Sequence, residues 1–164
     1  MKLIELLQGR FMSHPLHPAL VHFPIGLWSA SFIFDLLSVF QADPITANYF
    51  VVTSWYCLLL GVIGALPTAV TGIAEFMTIP RSTKAQVLAL THMALNVLLI
   101  ATYIAQVSLR ETGDPRVSLP MIVVNGIAFM VLGISGYIGG KLAYEYRIGS
   151  RVPAETEDSQ KKAA

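Results

Sequence analysis

Residues 85–108, AQVLALTHMALNVLLIATYIAQVS, run for 24 positions without an Asp, Glu, Lys or Arg. A helix needs about 20 predominantly apolar residues to cross the hydrocarbon core of a bilayer. An uncharged stretch of this length therefore reads as a transmembrane helix. Working outward, three more stretches have the same character. Residues 19–40 hold one formal charge, Asp35. Residues 49–76 hold Glu75 near their end and Pro67 inside, and residues 119–144 carry Pro120 in the first turn, where its missing N–H does no harm. Short polar connections separate them, with Asp43-Pro44, then Ile79-Pro80-Arg81-Ser82, then Arg110 to Val117. Period-2 alternation, the mark of a barrel strand, is absent, and only helices and closed barrels satisfy their own backbone in lipid. The expected fold is all-α, a four-helix transmembrane bundle over 18–152. It is preceded by an interfacial segment, 1–17, and followed by a disordered polar tail, 153–164.

Composition agrees. Of the 164 residues 54% are hydrophobic and 13% charged, about half the charge of a soluble domain. Four spans put the N-terminus, the second connection and the C-terminus on one side. That side holds nine of the eleven basic residues, and only Arg110 and Arg116 fall on the other. The positive-inside rule then places both termini in the cytoplasm, as in a multi-pass protein of the bacterial inner membrane. The polar chemistry is expected near that side too, with Asp35, at the outer end of its helix, acting as an interfacial cap.

Several classes are excluded. A net charge of +1 gives no reason to invoke nucleic acid, and the lone Cys57 excludes a disulfide framework or a cysteine metal site. The start of the chain lacks the long apolar run and cleavage site of a signal peptide. Leu3, Ile4, Leu7 and Phe11 instead suggest a short helix lying on the membrane surface. No internal repeat is evident, nor any enzymatic fingerprint. Gly133, Gly136 and Gly140 recur along the fourth helix and Gly61 and Gly64 lie in the second, a spacing that suits close helix packing.

Four histidines carry the candidate chemistry. His14, His17 and His22 open the first span, and His92 lies in the third. From plausible helix starts His22 sits about 6 Å and His92 about 10 Å along, so the two imidazoles lie at similar depth. Ionisable groups inside a membrane are costly and tend to be functional. Two facing imidazoles could clasp a b-type haem with bis-histidine ligation, in a small electron-carrying protein. In that arrangement Gly26 leaves room below His22, Asn96 steadies the His92 ring from one turn away, and Arg81, beside Lys84, meets the propionates. The same residues admit a transition-metal ion held by His14, His17, His22, His92 and Glu75. A third reading is a cofactor-free structural or assembly subunit. Expected partners are the lipid bilayer and a homo-oligomer or membrane redox complex.

The segments HPLHPALVHFPIG (14–26), TGIAEFMTIPRSTKA (71–85), LTHMALNV (90–97) and SGYIGGKLAYEYRIGSRV (135–152) resemble a bacterial family of predicted four-helix membrane proteins, domain of unknown function 2231. The likeness extends from about Pro15 to Val152. Two positions depart from the family pattern, Glu75, where Asp is frequent, and the ending Arg147-Ile148-Gly149, a variant of a basic-Gly-Val motif. The resemblance implies the fold and the membrane location but no activity.

Overall fold

The computed structural model describes residues 3–9, 15–110, 114 and 116–149. All regular structure among them is helical. The helices are α1 (Leu3–Leu7), α2 (Leu16–Leu20), α3 (His22–Phe40), α4 (Pro44–Phe76), α5 (Lys84–Leu109) and α6 (Leu119–Tyr144). Four helical stretches, Leu16–Phe40, Pro44–Phe76, Lys84–Leu109 and Leu119–Tyr144, are long and apolar enough to cross a membrane.

Local chemistry sets the helix ends. The second span begins at Pro44, earlier than hydropathy suggests, because Asp43 caps it. The Asp43 carboxylate accepts from Thr46 N–H at 2.9 Å and from the Thr46 hydroxyl at 2.6 Å, and Pro44 fills the first turn. The Thr83 hydroxyl caps α5 in the same way, accepting from Gln86 N–H. At Val21 the first span is interrupted between α2 and α3. Pro24 has no N–H to offer the Leu20 carbonyl, so the ladder loses a rung there.

The four long helices form a closed ring in chain order. Helix α3 packs mainly on α4 and α5 mainly on α6, and the two hairpins meet through α4–α5 and α3–α6. Helix α1 docks on α4, where Gln8 Nε2 donates to the Ala74 carbonyl at 3.0 Å. The surface-helix expectation thus becomes a helix held against the bundle. Its proposed fourth apolar member, Phe11, lies outside the described residues, as do His14 and the tail after Gly149.

A hydrophobic layer crosses the middle of the bundle. It contains Trp28, Leu58, Leu99, Tyr103 and Leu132. Trp28 stacks on Tyr103 with ring centroids 4.4 Å apart. Gly61 admits the indole, since a Cβ there would overlap it. Two polar centres lie on either side of this layer, one toward the end that holds α1, the α4–α5 connection and Gly149 (the basic end) and one toward the opposite end.

The glycine reading needs correction. A Cβ added at Gly133, Gly136 or Gly140 would meet nothing within 4 Å. These glycines do not bring α6 close to a neighbour. Close approach does occur at Gly61 and Gly64, as expected, and also at Gly72, Gly126 and Gly139, each facing an aromatic or imidazole ring.

Candidate functional site

The core positions of α2–α3 follow steps of three and four, through His17, Val21, Pro24, Trp28, Ser31 and Asp35. Those of α5 do the same through His92, Asn96, Leu99, Tyr103, Gln106 and Arg110. A constant separation of 75 residues relates the two series. It pairs His17 with His92, Trp28 with Tyr103 and Asp35 with Arg110. On α4 and α6 a separation of 67 residues relates buried Leu58, Gly61, Ala65 and Thr68 to Asn125, Ala128, Leu132 and Ser135. The two hairpins are therefore pseudo-equivalent around an axis along the bundle. The repeat is faint in the sequence because most side chains differ; His17 matches His92 and Gly72 matches Gly139, but elsewhere it is mainly the burial pattern that recurs.

At the basic end the equivalence becomes chemistry. His17 Nδ1 donates to the Thr68 carbonyl at 3.0 Å, and His92 Nδ1 donates to the Ser135 carbonyl at 2.9 Å. A carbonyl oxygen only accepts, so both rings carry their proton on Nδ1 and present a lone pair at Nε2. Four residues beyond each carbonyl stands a glycine. A Cβ at Gly72 would lie 2.9 Å from His17 Cε1, and one at Gly139 would lie 3.0 Å from His92 Cε1. Each imidazole thus rests on one bare helical turn, bonded to residue i and covering the glycine at i+4. The signal was present in the sequence as Thr-x-x-x-Gly and Ser-x-x-x-Gly, but it means nothing until a histidine is known to face it.

Both imidazoles line one cavity of about 350 Å³ between the hairpins. That is within the range of small-molecule and cofactor sites. Its walls are apolar or small, as at Ala65, Ala69, Gly72, Ala89, Gly136 and Gly140. Two polar residues, Ser135 and Asn96, surround the His92 ring. Asn96 Nδ2 donates to Ser135 Oγ at 2.8 Å, to the His92 carbonyl at 2.7 Å and to His92 Nε2 at 3.2 Å. An amide nitrogen has two hydrogens, so the longest of these three bonds, the one to Nε2, is the easiest to release. Among the described residues His17 Nε2 makes no hydrogen bond.

The remaining sequence candidates fall as follows. His22 reaches only the rim of the cavity; it is exposed, with Nδ1 3.3 Å from the Ala19 carbonyl. Five residues past His17, it points about 140° away around the helix. Gly26 is exposed and outside the cavity, so the free face once assigned to it is not the cavity wall. Arg81 and Lys84 are exposed and do not line it. Glu75 does line it, half-buried. Among the described residues no three His, Cys, Asp or Glu side chains converge as ligands of a metal ion. His14 lies outside those residues.

The opposite end overturns the expectation that polar chemistry gathers on one side. Asp35 is completely buried and forms no interfacial cap. Arg110, expected in a loop, is buried against it with Nη1–Oδ1 at 2.6 Å and Nη2–Oδ2 at 2.7 Å. Ser54 donates to the same carboxylate at 2.5 Å and Asn125 at 2.6 Å, while Gln106 Oε1 accepts from the guanidinium. A bidentate pair with its remaining valences filled is the form in which a charge survives burial.

The fold and this arrangement define a class, a four-helix transmembrane protein with an imidazole-lined cavity at one end and a sealed ion pair at the other. The chain belongs to the predicted membrane protein family DUF2231, whose model matches residues 13–151. No curated protein and no solved structure matches it.

Proposed function

We propose that this protein binds a b-type haem between its two hairpins, with His17 and His92 as axial ligands, and carries electrons in the membrane. The observation that carries the reading is the twin docking of the imidazoles. Each ring is oriented by an Nδ1–H bond to a helix carbonyl, the usual way a ligand histidine is fixed; Nε2 is left for a metal on His17, and on His92 once the 3.2 Å bond from Asn96 is released. A flat macrocycle with one axial position on each face suits two equivalent donors across a pseudo-two-fold axis. The small, apolar walls suit a porphyrin, and exposed His22 at the rim is a donor for a propionate. This assigns the second ligand to His17 in place of His22. A discrete metal ion is less well supported, because it lacks a third ligand among the described residues.

Protein purified after expression with ample haem should give sharp low-spin bands in a reduced-minus-oxidised spectrum. His17→Ala and His92→Ala should each abolish them, and His22→Ala should keep them. A colourless, folded protein would end the haem reading. Stoichiometric zinc or iron in that material would favour the metal ion, and its absence a cofactor-free subunit. We further propose that both termini face the cytoplasm of a bacterial cell. Reporter fusions after Asp43 and after Ser82 should then report opposite sides, the second cytoplasmic.

A further inference from the structure

The seam between α3 and α6 changes along its length. Toward the far end it is closed. Phe32 stacks on Phe129 with ring centroids 5.3 Å apart, and a Cβ at Gly126 would lie 3.2 Å from Phe32 Cε2. Seven residues make about two helical turns, so Gly136 continues the α6 face of Phe129 and Gly140 that of Gly126. On α3, Ile25 continues the face of Phe32 in the same way. In this stretch, nearer the basic end, the contact is lost. A Cβ at Gly136 or Gly140 would meet nothing within 4 Å, yet both residues line the cavity. Gly136 and Ile25 line it and are exposed as well. The cavity therefore reaches the outer surface of the bundle between these two helices.

The pseudo-equivalent seam, between α4 and α5, differs. Ala69 and Ile73 stand there in place of Gly136 and Gly140, so side chains occupy the matching positions. At the basic end the chain after α6 folds back. The Ile148 N–H donates to the Leu142 carbonyl at 2.9 Å, and a Cβ at Gly149 would lie 3.8 Å from Pro18 and 3.7 Å from Glu75.

We propose that the cavity opens sideways into the bilayer through a window between α3 and α6, and that its ligand is an amphiphile with a flat apolar body, taken from the lipid phase. The rim suits that source. Its side chains Ile25 and Phe129 are apolar and exposed, on helices that cross the membrane. With no side chain at Gly136 or Gly140, a thin body passes where a Leu or Ile would block it. The apolar walls beyond continue the environment of the acyl chains. The aqueous end, by contrast, is crossed by the turn at Ile148 and Gly149. The window rests on packing alone; only the naming of its ligand as haem rests on the reading above.

Trp28 lines the cavity although only 2% exposed, and Trp55 is the one other tryptophan. In the full chain carrying Trp55→Phe, reconstituted without haem, phosphatidylcholine with brominated acyl chains should quench Trp28 emission, and aqueous iodide should not. Gly136→Leu/Gly140→Leu should restore that emission. Gly133→Leu, also placed in open space but off the cavity, should leave it quenched. Should Trp55→Phe fail to fold, the difference in emission between the native chain and Trp28→Phe isolates the same signal. An unquenched Trp28, quenching by iodide, or bromolipid quenching that survives the filled window would each overturn the proposal. Hemin presented in vesicles should load the native chain about tenfold faster than Gly136→Leu/Gly140→Leu, a barrier of the size that overpacking imposes. Equal loading rates would overturn lateral entry. A chain that stays colourless while Trp28 is quenched through the window would end the haem reading and keep the window.

Discussion

The two polar centres use the same kind of position in opposite ways. At the far end Asp35 accepts from Arg110, Ser54 and Asn125, and the pair is sealed within the bundle. At the basic end each imidazole spends one nitrogen on a helix carbonyl and keeps the other beside an open cavity. A saturated buried charge pair offers no valence to a ligand and acts as a clamp between hairpins. An oriented imidazole with a lone pair in reserve is a binding group. The pseudo-symmetry sharpens the contrast, since identical residues stand at equivalent positions in the cavity and opposite charges stand at equivalent positions in the clamp.

The clamp should give the largest stability effect. Asp35→Leu leaves Arg110 buried without its partner and should cost about 3–5 kcal/mol in detergent unfolding. The double variant Asp35→Leu/Arg110→Leu should recover most of that loss, because two apolar groups need no compensation. If the double variant is as unstable as the single, the pair does more than neutralise charge. At the cavity the ordering of effects reverses. Gly72→Val or Gly139→Val pushes a methyl group into an imidazole and should abolish ligand binding while destabilising by about 1–3 kcal/mol. Retained binding in both variants would mean that the bare turns do not seat the rings.

Smaller effects test the surroundings of the two centres. Gly133→Ala and Gly136→Ala place a methyl group in open space, so stability should stay within about 0.5 kcal/mol of the parent. A clear loss would restore the idea that this stretch of α6 packs against another helix. Outside the membrane, the Thr46 hydroxyl and N–H hold the Asp43 carboxyl below its ordinary value. A depressed pKa contributes stability that is present above the unfolded value and is lost as pH falls through the folded one. Acid below about pH 4 should therefore fray the start of α4 slightly. Asp43→Asn, which still caps, should flatten that acid dependence in a circular-dichroism titration.

Much of the site was legible in part. The sequence marks His92 as a candidate ligand with Asn96 one turn away, and the two share a hydrogen bond. Depth along the helix points to His22 as the counterpart of His92, whereas direction around the helix, which needs the fold, turns His17 inward and leaves His22 exposed. Counting back from Asp35 in steps of three and four lands on His17 and misses His22. That stripe becomes visible only once Asp35 is known to face inward, and its partner Arg110 lies 75 residues away in a segment that reads as a loop.

The sequence alone determined the number of spans, their approximate ends and the charge asymmetry between sides. Lipid enforces these through the summed cost of polar groups along a segment, which is additive and needs no partner. Only the tertiary structure decided which face of each helix turns inward. In a soluble helix that direction is written as an apolar stripe against a polar one. Here the outward face meets lipid tails and is as apolar as the core, so the pattern is nearly erased. The Asp35–Arg110 pair and the cavity exist only where the two hairpins meet, and the docked imidazoles on the bare turns at Gly72 and Gly139 only where the helices of each hairpin pack together.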